Sequence, residues 1–337
     1  MERTTKVWST WLGLALLAGA SCGCGDSGAT PPRPDMGPPP RDGICSPQEG
    51  AVNLAGQWAA QADLQVELTG LPRALVALCP DPQVRPSRLT MRAVVSDDGN
   101  GDGVVALEVC RLDLPTITGS AFRCPEDPTA TLDIEILTSE AFGALLPTLD
   151  VGFNTGLPIE SAGGTAFRPT PFVVTMGANL GDTDPLPRWD LGLPGCMTAG
   201  TTEECVPGYE SLFDEDGDGN LGVTLLANSG EGGLVEGEAY VAVRIAPSFD
   251  GIIQNPNCVD GQVSLNLDFS IVDSDVRVVG LGLATGAVTQ NIPPLNFLPT
   301  SRFKLLRADQ QGLDFDDDDD GTVTCAEILN NEGQFQR

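Results

Sequence analysis

The sequence predicts an all-β, antiparallel domain, either a barrel or a sandwich, tied by disulfides and carrying few short helices. Three observations predict it: apolar and polar residues alternate in many segments, 40 glycines and 27 prolines punctuate the chain, and cysteines recur along it. Alternation with period 2 puts successive side chains on opposite faces of a half-buried strand. Frequent Gly and Pro leave little room for long helices. Hydrophobic residues make up 41% of the 337 residues, enough to bury a core. Aromatics are only 5%, so Val, Leu, Ile and Ala must supply most of that core.

The clearest alternation runs through residues 63–68, 131–137 and 262–269. Residues 104–109, 172–176, 222–226, 239–245 and 276–283 are further expected strands, while 141–146, 301–307 and the segment after Cys325 are expected short helices. Gly56-x-Trp58, just before the first strand, resembles the opening of lipocalin-like barrels.

The balance of 47 acidic against 18 basic residues, net −29, repels phosphate backbones and disfavours nucleic acid as a partner, while attracting divalent cations. There is no histidine, which removes Ser-His-Asp and Cys-His catalysis and most catalytic zinc sites. Beyond the leader the single lysine is Lys304, which leaves little scope for Schiff-base chemistry. No enzyme is expected.

Residues 1–21 have the parts of a secretory signal: basic Arg3 and Lys6, an apolar run over 7–20, and small residues before Cys22. That run is shorter than the roughly 20 residues of a spanning helix. Leu17-Ala18-Gly19-Ala20-Ser21-Cys22 resembles the lipobox of bacterial lipoproteins, with Gly19 where Leu is usual; Cys24 fits less well. The resemblance implies lipidation of Cys22, a membrane partner through that lipid, and, with Gly23 following, an outer-membrane location. Residues 22–44 read as a tether, since six prolines between 31 and 40 forbid a helix. At ~3.1 Å per residue, polyproline geometry lets it reach ~60 Å. Residues 45–337 are the expected globular domain.

Of ten cysteines, setting aside Cys22 and Cys24 leaves eight: Cys45, Cys79, Cys110, Cys124, Cys196, Cys205, Cys258 and Cys325. Their even number reads as four disulfides, among 105 possible pairings. Cys196 with Cys205 is the expected local pair.

An Asp-rich loop followed by an apolar stretch occurs three times. Residues 316–327 resemble the twelve-residue EF-hand calcium loop. Asp316, Asp318 and Asp320 fall at positions 1, 3 and 5, Gly321 at 6, the Thr322 carbonyl at 7, Val323 at 8 and Glu327 at 12. Upstream, residues 310–312 interrupt any incoming helix. In the second loop Asp214, Asp216 and Asp218 match positions 1, 3 and 5, with Gly219 at 6 and Leu221 at 8. Leu225 stands at position 12, so the closing carboxylate has to come from Glu203, Glu204 or Glu231. The third, Asp98-x-Asn100-x-Asp102-Gly103, has Val109 at 12 and reads equally as a hairpin turn. A solvated acidic run is the alternative for the first loop and an acidic surface turn for the second.

Together these features predict a calcium-binding cell-envelope lipoprotein with a structural or binding role. A carrier of an apolar ligand inside a barrel is the alternative, and a carboxylate-based hydrolase of envelope glycans a less favoured one.

Overall fold

Residues 63–68 alternate as expected, and the strand they belong to begins earlier, at Gly56, so that Trp58 lies within it; it buries Trp58, Ala60, Ala62, Leu64, Val66 and Leu68 on one face. The computed structural model describes residues 43–336 except 73, 199, 231, 232, 310–312 and 314. The expected leader, Cys22 and the tether up to residue 42 lie outside the described residues, as do Glu231 and 310–312.

Eleven strands build the main sheet. They are β1 (Gly56–Leu68), β2 (Val76–Leu78), β3 (Gln83–Asp97), β4 (Asp102–Asp113), β5 (Ile117–Ala121) and β6 (Leu132–Thr138). The second half adds β7 (Val151–Pro158), β8 (Val223–Asn228), β9 (Val235–Asn255), β10 (Cys258–Val278) and β11 (Arg302–Arg307). They lie side by side in the order β2-β5-β6-β8-β9-β10-β11-β1-β3-β4-β7. Every one of these neighbours pairs antiparallel. Shorter strands pair along β1, β9 and β10, and the sheet curls into a half-barrel. The short helices are α1 (Glu140–Leu145), α2 (Thr202–Cys205), α3 (Thr285–Thr289) and α4 (Cys325–Asn330).

Two expectations are corrected. Residues 302–307 form β11 instead of a helix, because they pair with β1 from Arg302↔Asp63 to Arg307↔Trp58 and with β10 on the other side. Partners distant in sequence thus decide the local state. Residues 276–283 are not one strand: the chain reverses at Val279 and Gly280, whose φ values of 52° and 73° make a tight hairpin.

The spine is the β9–β10 hairpin, with 21 residues in each arm. A bulge falls where Tyr240 pairs with Asp273 but Val241 pairs with Ile271, leaving Val272 as the extra residue. One extra residue inverts the alternation beyond it. Leu267, Phe269 and Ile271 on one side, and Val276 and Val278 on the other, therefore share the inner face. Val272, fully buried, points to the opposite face and joins a separate core with Trp189, Cys196 and Cys205.

The outer face is covered in two places. Leu186, Trp189, Val206, Leu212 and Leu221 pack on Ala242 and Val272, and Leu313, Phe315, Val323, Ile328 and Phe335 pack on Ala59, Cys258 and Leu306. Each cover is stapled. Cys196–Cys205 closes the first, as expected, and Cys110–Cys325 ties α4 to β4. Cys45–Cys258 fixes the start of the domain to β10, and Cys79–Cys124 joins the ends of β2 and β5.

Gly56 and Trp58 are explained by Arg307. Its guanidinium lies 4.4 Å from the centre of the Trp58 ring, is almost wholly buried, and donates to the carbonyls of Asn53 and Ala55. A Cβ at Gly56, where φ is +133°, would come within 2.4 Å of Arg307 Nη1 and 2.3 Å of Asp309 Oδ2. Only glycine fits. Gly56→Ala is therefore expected to destabilise the fold by about 2 kcal/mol or more, through strain and the displaced guanidinium. Chemical denaturation measures it, and an unchanged midpoint would contradict the packing.

Candidate metal centres

The loop at 316–321 follows from local chemistry. Aspartates at alternate positions accept backbone N–H groups a few residues ahead, which bends the chain around them. Asp316 accepts from the N–H groups of Asp320 (3.2 Å) and Gly321 (2.9 Å), and Asp320 accepts from that of Thr322 (2.7 Å). Gly321 turns the chain at φ 84°. The result brings carboxylate oxygens of Asp316, Asp318 and Asp320 within 4.8 Å of one another.

The loop is anchored on both sides. Phe315 and Val323 are buried in the outer core. Gln57, at the start of β1, donates to the Gly321 carbonyl and accepts from the Val323 N–H, both at 2.9 Å.

Glu327 does not join the three aspartates. It forms the capping box of α4 with Thr324, accepting from the Thr324 N–H and hydroxyl, and its other oxygen accepts from the Asp317 N–H at 2.9 Å. These bonds, led by the Thr324 hydroxyl, lower its pKa. Thr322 is exposed and holds Asp320 through its N–H. Asp318 behaves oppositely. The Asp320 N–H lowers its pKa, but the combined charges of Asp320, Glu327 and Asp316, with desolvation, raise it overall.

The second loop has the same internal form. Asp214 accepts from the N–H groups of Gly217 (2.7 Å), Asp218 (3.2 Å) and Gly219 (2.9 Å). Asp214, Asp216 and Asp218 again bring carboxylate oxygens within 4.8 Å of one another. This loop sits against the sheet, since a Cβ at Gly222 would lie 2.7 Å from the Val241 carbonyl oxygen. Thr224 of β8 binds it, giving its N–H to Asp216 at 2.9 Å and its hydroxyl to Asp218. Leu225 lines the inner face, which is why position 12 offers no ligand here. Glu203 and Glu204 stay outside the group; Glu204 closes the capping box of α2. Neither Gln57 nor Thr224 stands out in the sequence, because Thr224 reads as an ordinary polar residue of an expected strand and Gln57 falls before the first one.

One oxygen in this loop is anomalous. Asp216 Oδ1 is buried and has no hydrogen-bond partner. Burial raises the Asp216 pKa first, and the charges of Asp218 and Asp214 add to that. The neighbouring Glu215, which accepts from the Gly177 N–H, is also raised by burial. A buried carboxylate oxygen without a donor is costly unless a cation meets it. Three clustered carboxylates are the hard oxygen donors that calcium prefers. The residues of both loops therefore fit such an ion.

The third loop is the β3–β4 hairpin turn. Asp98 accepts from the N–H groups of Asn100 (2.7 Å) and Asp102 (3.2 Å), and Asp97 from those of Gly99 and Gly101. Among the described residues it gathers no group of three acids. The turn alternative holds.

No family model, curated protein or solved structure matches this chain. The neutral substitution Asp216→Asn is expected to stabilise the metal-free protein by about 1 kcal/mol, because it removes a buried uncompensated charge. If calcium raises the melting temperature through this loop, the substitution should also shrink that rise. Scanning calorimetry in chelator and in calcium checks both, and a lower melting temperature in chelator would contradict the burial effect.

Proposed function

We propose that this chain is a calcium-binding cell-envelope lipoprotein with a structural or binding role, anchored through a lipid on Cys22. The observation that carries the calcium reading is the pair of aspartate triads, each drawn within 4.8 Å, with Asp216 Oδ1 buried and unpartnered in one of them. Asp316, Asp318 and Asp320 bind one ion and Asp214, Asp216 and Asp218 the other. The Thr322 carbonyl and Glu327 complete the first shell after Glu327 releases part of its capping bonds.

The ions act structurally. Each loop lies in a segment that covers the outer face of the sheet, so neutralising its charges steadies that cover. Extracellular calcium modules bind with Kd of roughly 10⁻⁴–10⁻³ M, which suits an exported protein. At ten times Kd each site adds about 1.4 kcal/mol of stability. Four disulfides fit export without deciding it. The lipobox resemblance supports the anchor, and the lack of histidine supports a binding role over an enzymatic one.

Calorimetric titration of the mature protein with calcium is expected to give heat from two sites, of which Asp316→Ala and Asp214→Ala each remove one. Heat unchanged by either substitution would end the calcium assignment. The intact mass of the native protein should carry diacylglycerol at Cys22, and an unmodified thiol there would end the anchoring claim.

A further inference from the structure

The inner face of the half-barrel is packed unevenly. Around β1, β3 and β4 it is filled by Trp58, Phe167 and Phe303, which leave only ≈ 40 Å³ of space. Across β5, β6, β8, β9 and β10 it encloses a cavity of ≈ 300 Å³. General looseness of the sheet would open both halves. Only one is open.

We infer that this cavity is a binding site for a single uncharged hydrocarbon chain, the tail of a neutral lipid. Its walls carry Ile136 from β6, Leu225 from β8, Val243 from β9 and Phe269 from β10, with Val288 of α3 closing one side. Among the described residues no charged side chain lines it, and Asn291 supplies the one polar side chain. Asn291 is already committed: its carbonyl accepts from the Leu75 N–H at 2.7 Å and its amide donates to the Ala287 carbonyl at 2.6 Å.

Water inside would therefore find almost nothing to bond, and an ordered water needs two to four polar partners. A charged or hydrogen-bonding group drawn inside would lose its hydration without replacement. A hydrocarbon chain loses nothing by entering and regains the dispersion contacts that the walls lack. Ile136, Leu225 and Phe269 are only half-buried despite sitting on interior strands, so they form a continuous apolar lining open to an incoming chain. The volume lies at the lower end of the range of small-molecule pockets, which suits one chain. A polar head would stay at the mouth.

This site does not rest on the calcium reading. The lining uses the inner face, whereas the aspartate loops belong to the outer one, and the two meet back to back at Leu225 and Thr224.

Titration of the full mature protein with the uncharged dye N-phenyl-1-naphthylamine tests it, followed by displacement with monoacylglycerols of increasing chain length. The dye is expected to bind and brighten. Displacement should strengthen about fourfold per added methylene until the cavity is full. Ala239→Phe, which fills the cavity from β9, should weaken dye binding about tenfold. Ala227→Leu, a smaller filling from β8, should give an intermediate loss and serves if the larger substitution fails to fold. Absence of dye binding by the wild type, displacement independent of chain length, or wild-type binding by folded forms of either variant would overturn the inference.

Discussion

Repulsion between like charges is the constraint on which this structure depends. The chain carries a net charge of −29, yet it gathers two sets of three aspartates within 4.8 Å. Backbone N–H groups satisfy many of these oxygens, as at Asp214 and Asp316, and so define the loops. They do not cancel the charge. The raised pKa values of Asp216, from burial and its neighbours, and of Asp318, where neighbouring charges outweigh the Asp320 N–H, mark the residual cost. In the proposed reading a divalent cation removes that cost, and the outer covers of the sheet are held down as a result.

The same sheet serves two purposes because neighbouring residues on a strand face opposite ways. On β8, Thr224 binds an aspartate loop outside while Leu225 lines the cavity inside. On β10 the bulge at Val272 lets one strand do this along its whole length, with an apolar inner face on both sides of the irregularity. Arg307 and Trp58 close the other half of the sheet. A buried guanidinium tied to two carbonyls fixes the N-terminal segment, and this half has no room for a ligand.

Local features were legible in the sequence and non-local ones were not. The strands at 63–68, 131–137 and 262–269 carry their alternation within a few residues. Cys196 and Cys205 lie 9 residues apart, so their pairing could be read; the other disulfides span 45, 213 and 215 residues and are decided by the sheet. The aspartate triads were readable because each sits in one tight loop. Glu327 exposes the limit of that reading. Thr324-Cys325-Ala326-Glu327 is a capping box as well as the end of the expected calcium loop, and in this structure the helix cap takes the carboxylate. The cavity had no sequence signature, since it arises from the register of β9 on β10 and from which side chains on other strands happen to be small.

Anomalous diffraction from crystals of the mature protein grown with calcium decides whether the aspartate triads hold the ion. Two peaks are expected, one among Asp316, Asp318 and Asp320 with Glu327 turned toward the ion, the other against Asp216 Oδ1. Crystals saturated with calcium that show neither peak, with the aspartates splayed into solvent, would contradict it.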